Sequence, residues 1–324
     1  VASRADVWMD AADAGVLTLA DGKVTSVRNK GRAGGAFRQT PGRYSSKVPC
    51  PTLAEDAING LSALKFDTNA GLMLESYTNR TAAPRSVHVY AVMRRDAADV
   101  LVEGRGKWGG PFSLVGTSAT GDDQTLPGAS HIAETFTNIV SVYCGNVSHA
   151  LTVRAGGLAE PYLFAMHQEH YGCSYSYEWA DTAADKVDVK VFESKVPADI
   201  DRVLLGGRGT AGGVMQWESN DAGPNRTWNG VIGEFLVFSS PLCEAEETAL
   251  LAYLRAKWFG KGEGFATPPA FLTGSYGAPD FGGLGLALAS GTSLEQAGPT
   301  LALASLEAAN DVSWTRDASA DPAT

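Results

Sequence analysis

From Gly230 to Phe238 the chain is apolar at nearly every position. Val231, Phe235 and Val237 fall on one phase of a two-residue alternation, and Ile232, Leu236 and Phe238 on the other. A run that is apolar on both phases suits a strand in the middle of a sheet with a layer packed on each side. Ser239, Ser240 and Pro241 then turn the chain, and Leu250, Leu254 and Trp258 follow four apart with Leu251 beside them. Glu244, Glu246 and Glu247 in the first turn, Lys257 in the last and Gly260 just beyond agree with a helix dipole and its termination. The pattern predicts a single capping helix near 244–258.

Elsewhere in the first 262 residues, short apolar-alternating runs are separated by Gly, Pro, Asn and Asp clusters, the pattern of a sandwich rather than of alternating β and α units. The strands expected are 23–28, 62–66, 86–94, 111–116, 138–144, 150–154, 162–167, 186–192 and 202–205. In the run 86–94, Val87, Val89, Ala91 and Met93 share one face while His88, Tyr90 and Val92 share the other, which reads as a half-buried strand.

Three segments carry a resemblance: Val7-Trp8-Met9-Asp10-Ala11-Ala12-Asp13, Asn59-Gly60-Leu61-Ser62-Ala63-Leu64-Lys65-Phe66-Asp67, and the strand, turn and helix beginning at Asn229, with the glycine turn Leu204-Leu205-Gly206-Gly207-Arg208-Gly209 in support. Together they resemble the laminin G-like branch of the concanavalin A-like lectin/glucanase superfamily. The resemblance implies an all-β, concanavalin A-like jelly-roll sandwich over 1–262, a secreted or cell-surface location, and a role in binding. That sandwich carries lectins, hydrolases, adhesins and structural modules alike, so the resemblance speaks to fold more than to activity.

After Trp258 the character changes. From Glu263 to Thr324 there is one basic residue, Arg316, against seven acidic ones, and the segment opens on Phe265-Ala266-Thr267-Pro268-Pro269. Leu284, Leu286 and Leu288, then Leu301, Leu303 and Leu306, alternate with Ala, Gly or Ser. These extra C-terminal strands need cover, on the sandwich or on a neighbouring copy by strand donation.

Net charge narrows the partners. With 26 Lys and Arg against 36 Asp and Glu, the chain of 324 residues carries −10 and supplies no basic patch for nucleic acid. No apolar run approaches the roughly 20 residues of a membrane span. The start at Val1, with no charged-then-apolar leader, is what a processed export signal would leave. Cys50, Cys144, Cys173 and Cys243 have no Cys-x-x-Cys spacing, so disulfides or buried thiols are expected rather than zinc or a redox pair.

The search for chemistry returns binding features rather than catalytic ones. No two carboxylates alternate on one strand as in the glucanases of the superfamily, and no nucleophile elbow or zinc-protease motif occurs, so no enzyme is expected. His167-Gln168-Glu169-His170 offers two imidazoles and a carboxylate of metal-ligating type, whereas His88, His131 and His149 stand alone in the sequence. Tyr175, Tyr177 and Trp179 share one strand face and would give an aromatic row for stacking on sugar rings, or a piece of core. Asp181 and Asp185 provide hard oxygen ligands, and the laminin G resemblance implies calcium at a loop rim; no other cofactor is expected. Two readings result: a non-catalytic adhesion or glycan-binding sandwich, and a self-assembling structural subunit whose leucine strands complete the next copy.

Overall fold

A computed structural model of the chain describes residues 3–41, 48–67, 70–77, 86–97, 109–116, 130–134, 139–144, 147–153, 156–169, 172–180, 186–191, 200–210, 214–215, 228–260 and 267–274. These belong to a compact unit, Val1–Ser275; a second unit, Tyr276–Thr324, holds the leucine-alternating segments and lies outside the described residues. The first unit extends past the expected boundary at 262, because Phe271 and Leu272 are buried in it.

Nineteen strands occur among the described residues. In chain order they are β1 Val7–Asp10, β2 Leu17–Ala20, β3 Lys23–Arg28, β4 Ala36–Gln39, β5 Thr52–Ile58, β6 Leu61–Phe66, β7 Leu72–Leu74, β8 Val87–Arg95, β9 Phe112–Val115 and β10 Ser130–Glu134. They continue with β11 Ile139–Cys144, β12 Val147–Thr152, β13 Tyr162–Glu169, β14 Gly172–Trp179, β15 Lys186–Val191, β16 Arg202–Leu205, β17 Gly209–Thr210, β18 Val214–Met215 and β19 Gly230–Phe238. Helix α1 spans Glu244–Phe259 and a single turn, α2, spans Ala270–Thr273.

Seventeen of these strands form two antiparallel sheets, and β17 and β18 pair with each other apart from them. One runs β15-β14-β13-β8-β19-β6-β5 with β1 paired to β19, and the other runs β12-β11-β10-β9-β16-β7-β4-β3-β2. Their facing sides enclose the inner core, which includes Val89, Ala91, Met93, Phe164, Phe235 and Val237 from the first sheet and Phe37, Leu72, Phe112, Leu114 and Val203 from the second. The opposite side of the first sheet carries a second apolar layer, where Tyr90, Val92, Leu163, Ala165, Leu236 and Phe238 meet Leu250, Tyr253, Leu254 and Trp258 of α1. Each of those four helix side chains is at most 2 % exposed. At roughly 2 kcal/mol per buried large side chain, this layer outweighs any surface ion pair in holding α1 down.

Two expectations change here. The run 86–94 does form β8, but both faces are buried, because α1 covers the face expected to be wet. In β19 the register slips between Ile232 and Glu234, a bulge that exchanges faces mid-strand. Ile232 therefore joins Phe235 and Val237 in the inner core, while Val231 joins Leu236 and Phe238 outside. The bulge sits at Gly233, where a Cβ would lie 2.6 Å from the Trp258 ring. Only glycine lets that indole lie on the strand.

Helix α1 ends as its sequence dictates. Gly260 adopts φ +62 as the left-handed cap, and Asn59, from the β5–β6 turn, donates its side-chain amide to the Lys257 carbonyl at 3.0 Å. At the other end the Cys243 amide donates to Glu246 at 3.0 Å, and Glu246 also pairs with Arg4. Arg255 forks onto Glu178 of β14 with two bonds of 2.7 Å, which fixes the rotation of the helix over the sheet.

Candidate functional site

The outer face of the first sheet, beneath α1, holds two clusters of ionisable groups. The first is built on Glu234, which the bulge at Gly233 turns toward the helix. Strand pairing places Glu234 opposite Asp10 of β1, so two carboxylates face each other from opposite ends of the chain. Glu234 is fully buried, and both of its oxygens are occupied. Trp8 Nε1 donates to Oε1 at 2.7 Å and the Tyr253 hydroxyl at 3.0 Å; Trp258 Nε1 donates to Oε2 at 2.7 Å and Lys257 Nζ at 2.8 Å. Lys257 also reaches Asp10 at 2.7 Å, and Lys30 bridges Asp10 and Asp13 at 3.1 and 2.9 Å while lying 4.1 Å over the Trp8 ring.

Burial pushes the Glu234 carboxyl up, Lys257 pulls against it, and Asp10 adds to the rise. The Lys30 ammonium beside Asp13 holds that carboxyl below the usual range. This arrangement answers the missing same-strand carboxylate pair: the pair exists, but across two strands. It is sealed and hydrogen-bonded throughout, so it locks α1 to the sheet rather than meeting a ligand.

The second cluster lies at the N-terminal end of α1. His88 of β8 and His167 of β13 are direct cross-strand neighbours, and their rings stack at 4.3 Å, 15° from parallel. The His167 Nε2 is 2.9 Å from Glu247 Oε1 of α1 and 3.0 Å from the Tyr90 hydroxyl. Glu247 is held below its ordinary range, first by the hydrogen bond from His167. Burial and the neighbouring Glu247 carboxylate push the Tyr90 phenol up.

His88 is different from every other member. Its side chain is 5 % exposed, yet neither ring nitrogen has a hydrogen-bond partner; Glu169 Oε1 stands 3.5 Å from Nε2. Burial and the adjacent His167 lower its pKa to about 3, so the ring is neutral over the physiological range. Around it the rim is reachable: the His167 side chain is 24 % exposed, Glu247 29 % and Glu169 59 %, with the half-buried Ser174 opposite His167 on β14. His88, which stands alone in the sequence, is thus the paired histidine of the fold.

The remaining expected site residues fall elsewhere. Tyr175, Tyr177 and Trp179 are 3, 0 and 1 % exposed, so they form no sugar platform. In the β13–β14 register they stand opposite Met166, Phe164 and Tyr162, on the side that faces the second sheet. Tyr177 packs 5.1 Å from Phe164 and 5.5 Å from Tyr162, and Trp179 Nε1 donates to the Gly157 carbonyl at 2.7 Å. The outward side of β14 carries Ser174, Ser176 and Glu178 instead.

The metal expectation paired His167 with His170, but His170, Asp181 and Asp185 lie outside the described residues. His167 presents Nε2 to Glu247 and Tyr90, and His88 presents its own to Glu169, so the two imidazoles do not converge. Among the described residues no group of three or more His, Cys, Asp or Glu is placed to hold a metal ion. Cys243 carries an exposed free thiol, which excludes the Cys50–Cys243 bridge and any set of two disulfides; Cys50 and Cys173 are buried in the inner core, and the Cys144 side chain is outside the described set. Among the described residues no helix is long and apolar enough to cross a membrane.

No protein-family model matches the sequence, and no curated protein does either. Solved structures do share the fold. An arabinofuranosidase complexed with arabinofuranosyl-α-1,2-xylobiose superposes with a TM-score of 0.50 at 10 % identity, over 73 % of this chain and 51 % of that one. The full-length tailspike protein 2 of an Escherichia coli O157:H7 bacteriophage (TM-score 0.40, 13 % identity, 68 % of this chain and 27 % of that) and a sialidase of Streptococcus pneumoniae (0.37, 12 %, 57 % and 27 %) align more loosely. The chain spans about half the length of the arabinofuranosidase it matches. The expectation that the chain is not an enzyme is corrected by this likeness. A glycosidase shares the fold, and carboxylates such as Asp10 and Glu234 come together across strands, so the lack of a same-strand motif excludes nothing. What the likeness establishes is a two-layer all-β sandwich.

Proposed function

We propose that this chain is a glycan-engaging β-sandwich of the concanavalin A-like, laminin G-like jelly-roll type, acting outside the cell or at its surface in adhesion to or processing of a polysaccharide. The observation that supports it most is the shared fold with an arabinofuranosidase held in complex with an arabinofuranosyl-xylobiose. The net charge of −10 agrees with a neutral rather than a strongly anionic polymer.

A second reading, that the domain also cleaves its glycan, draws on the same neighbour and on the His167–Glu247–Tyr90 set, which joins an imidazole and a carboxylate at a reachable rim to a buried phenol. Both readings meet one experiment. The full chain is incubated with insoluble arabinoxylan, cellulose and mannan, and the bound fraction and released reducing ends are measured together. Retention without release supports binding alone, and release supports cleavage. Neither, together with polymer growth in light scattering, would replace the glycan reading with the structural-subunit one.

A further inference from the structure

Resting on that glycan reading, we propose that the notch formed by His88, His167, Glu169, Ser174 and Glu247 at the N-terminal end of α1 is a subsite for one neutral, hydroxyl-bearing sugar residue, with His88 as the group that reads it. The argument begins from an unmade interaction. A buried polar group without a partner costs on the order of 1–3 kcal/mol, and buried groups in folded proteins are overwhelmingly paired. His88 breaks that rule at both ring nitrogens, while the neighbouring Glu234 network obeys it at every oxygen.

A neutral imidazole offers one donor and one acceptor. A sugar hydroxyl offers one of each as well, so it complements the ring in either tautomer. Glu169 Oε1 is exposed and 3.5 Å from His88 Nε2, so a single hydroxyl beside the pair would donate to the carboxylate and accept from the ring. The stacked rings of His88 and His167 and the Tyr90 hydroxyl lie together beneath that rim; Ser174 stands across from His167 on the neighbouring strand. Two rim carboxylates, Glu169 and Glu247, accept from further hydroxyls and repel a uronate or a sulfated sugar. A purely structural histidine would gain nothing from this geometry. A ligand-reading one is unpaired because its partner is the ligand.

The test uses the intact chain and four hexasaccharides: xylohexaose, cellohexaose, mannohexaose and hexagalacturonate. Calorimetry gives affinity, and the imidazole C2–H resonances report where the ligand sits. A neutral hexamer is expected to shift the His88 and His167 resonances, with hexagalacturonate about tenfold weaker or worse. His88→Phe keeps the stack and removes both nitrogens; it should lower affinity about tenfold or more while the melting temperature stays level or rises. His88→Gln, which retains a donor and an acceptor, should bind within about threefold of the unaltered chain. If a neutral hexamer binds but His88→Phe binds equally well, or no imidazole resonance moves, the glycan reading stands and this assignment falls. If none of the four binds, both fall.

Discussion

Two clusters of ionisable groups lie under the same helix on the same face of the same sheet, and they are built to opposite rules. Around Glu234, two indole N–H groups, a phenol and an ammonium fill both carboxylate oxygens, and nothing is left to offer. Around His88, a neutral ring is buried with both nitrogens unmatched, beside carboxylates and an imidazole that solvent can reach. The lesson is one of satisfaction rather than residue type. A saturated buried network spends its polar groups on holding the fold, and an unsaturated one bears a cost that only a further partner relieves. Charge alone would have pointed to Glu234 and Asp10, the more conspicuous carboxylate pair.

The comparison breaks most easily at Glu234. Replacing it with Ala leaves three neutral donors unpaired in a dry layer and takes from Lys257 one of its two carboxylates, and the expected loss is about 3–5 kcal/mol in urea denaturation. A loss below 1 kcal/mol would mean that the network does not hold α1. Next in size is Gly233→Ala, whose added methyl meets the Trp258 ring; roughly 1–3 kcal/mol should go, with Trp258 fluorescence reporting a displaced indole. The same variant should leave the His88 notch intact by imidazole resonances, because no side chain belongs to both clusters.

Acid separates the two regions further. The folded pKa of His88 is lowered to about 3 from an unfolded 6.5. Between those values the unfolded chain takes up a proton that the folded chain refuses, so stability is lost as the pH falls through this window. Between pH 6.5 and 5 the unaltered chain should lose about 2 kcal/mol more than His88→Phe. Glu247 acts in the same direction over a lower window: its lowered pKa keeps its contribution intact above 4.5 and releases it only below. Equal slopes for the two proteins above pH 5 would show that His88 is not buried neutral. The smallest effect is expected at pH 7.5, where His88→Phe should be about 1 kcal/mol more stable because an unpaired ring has been exchanged for an apolar one. A loss of more than 1 kcal/mol there would give His88 a structural role.

Much of the scaffold was legible in the chain. The doubly apolar run of β19, the acidic start and glycine stop of α1, and the alternations of β3, β8, β13 and β16 each declare themselves within a few residues. The site was not. Alternation in β8 divides its residues into two faces correctly but cannot say that both are covered, and so His88 and Tyr90 read as surface. The aromatic alternation of β14 is likewise real, and pairing with β13 sends it inward. A carboxylate search along single strands passes over Asp10 and Glu234, whose partnership exists only through the β1–β19 ladder.

What the sequence determined by itself was periodicity and punctuation, because the two-residue and 3.6-residue repeats, the caps and the turns depend on neighbours along the chain. What only the tertiary structure decided was which face meets what. The bulge at Gly233 reverses the inward set of β19, α1 converts an outer face into a second core, and the register of β8 with β13 brings His88 against His167. Each depends on contacts between distant segments. A shift of one residue in any ladder would move those side chains to the opposite face without altering the local pattern.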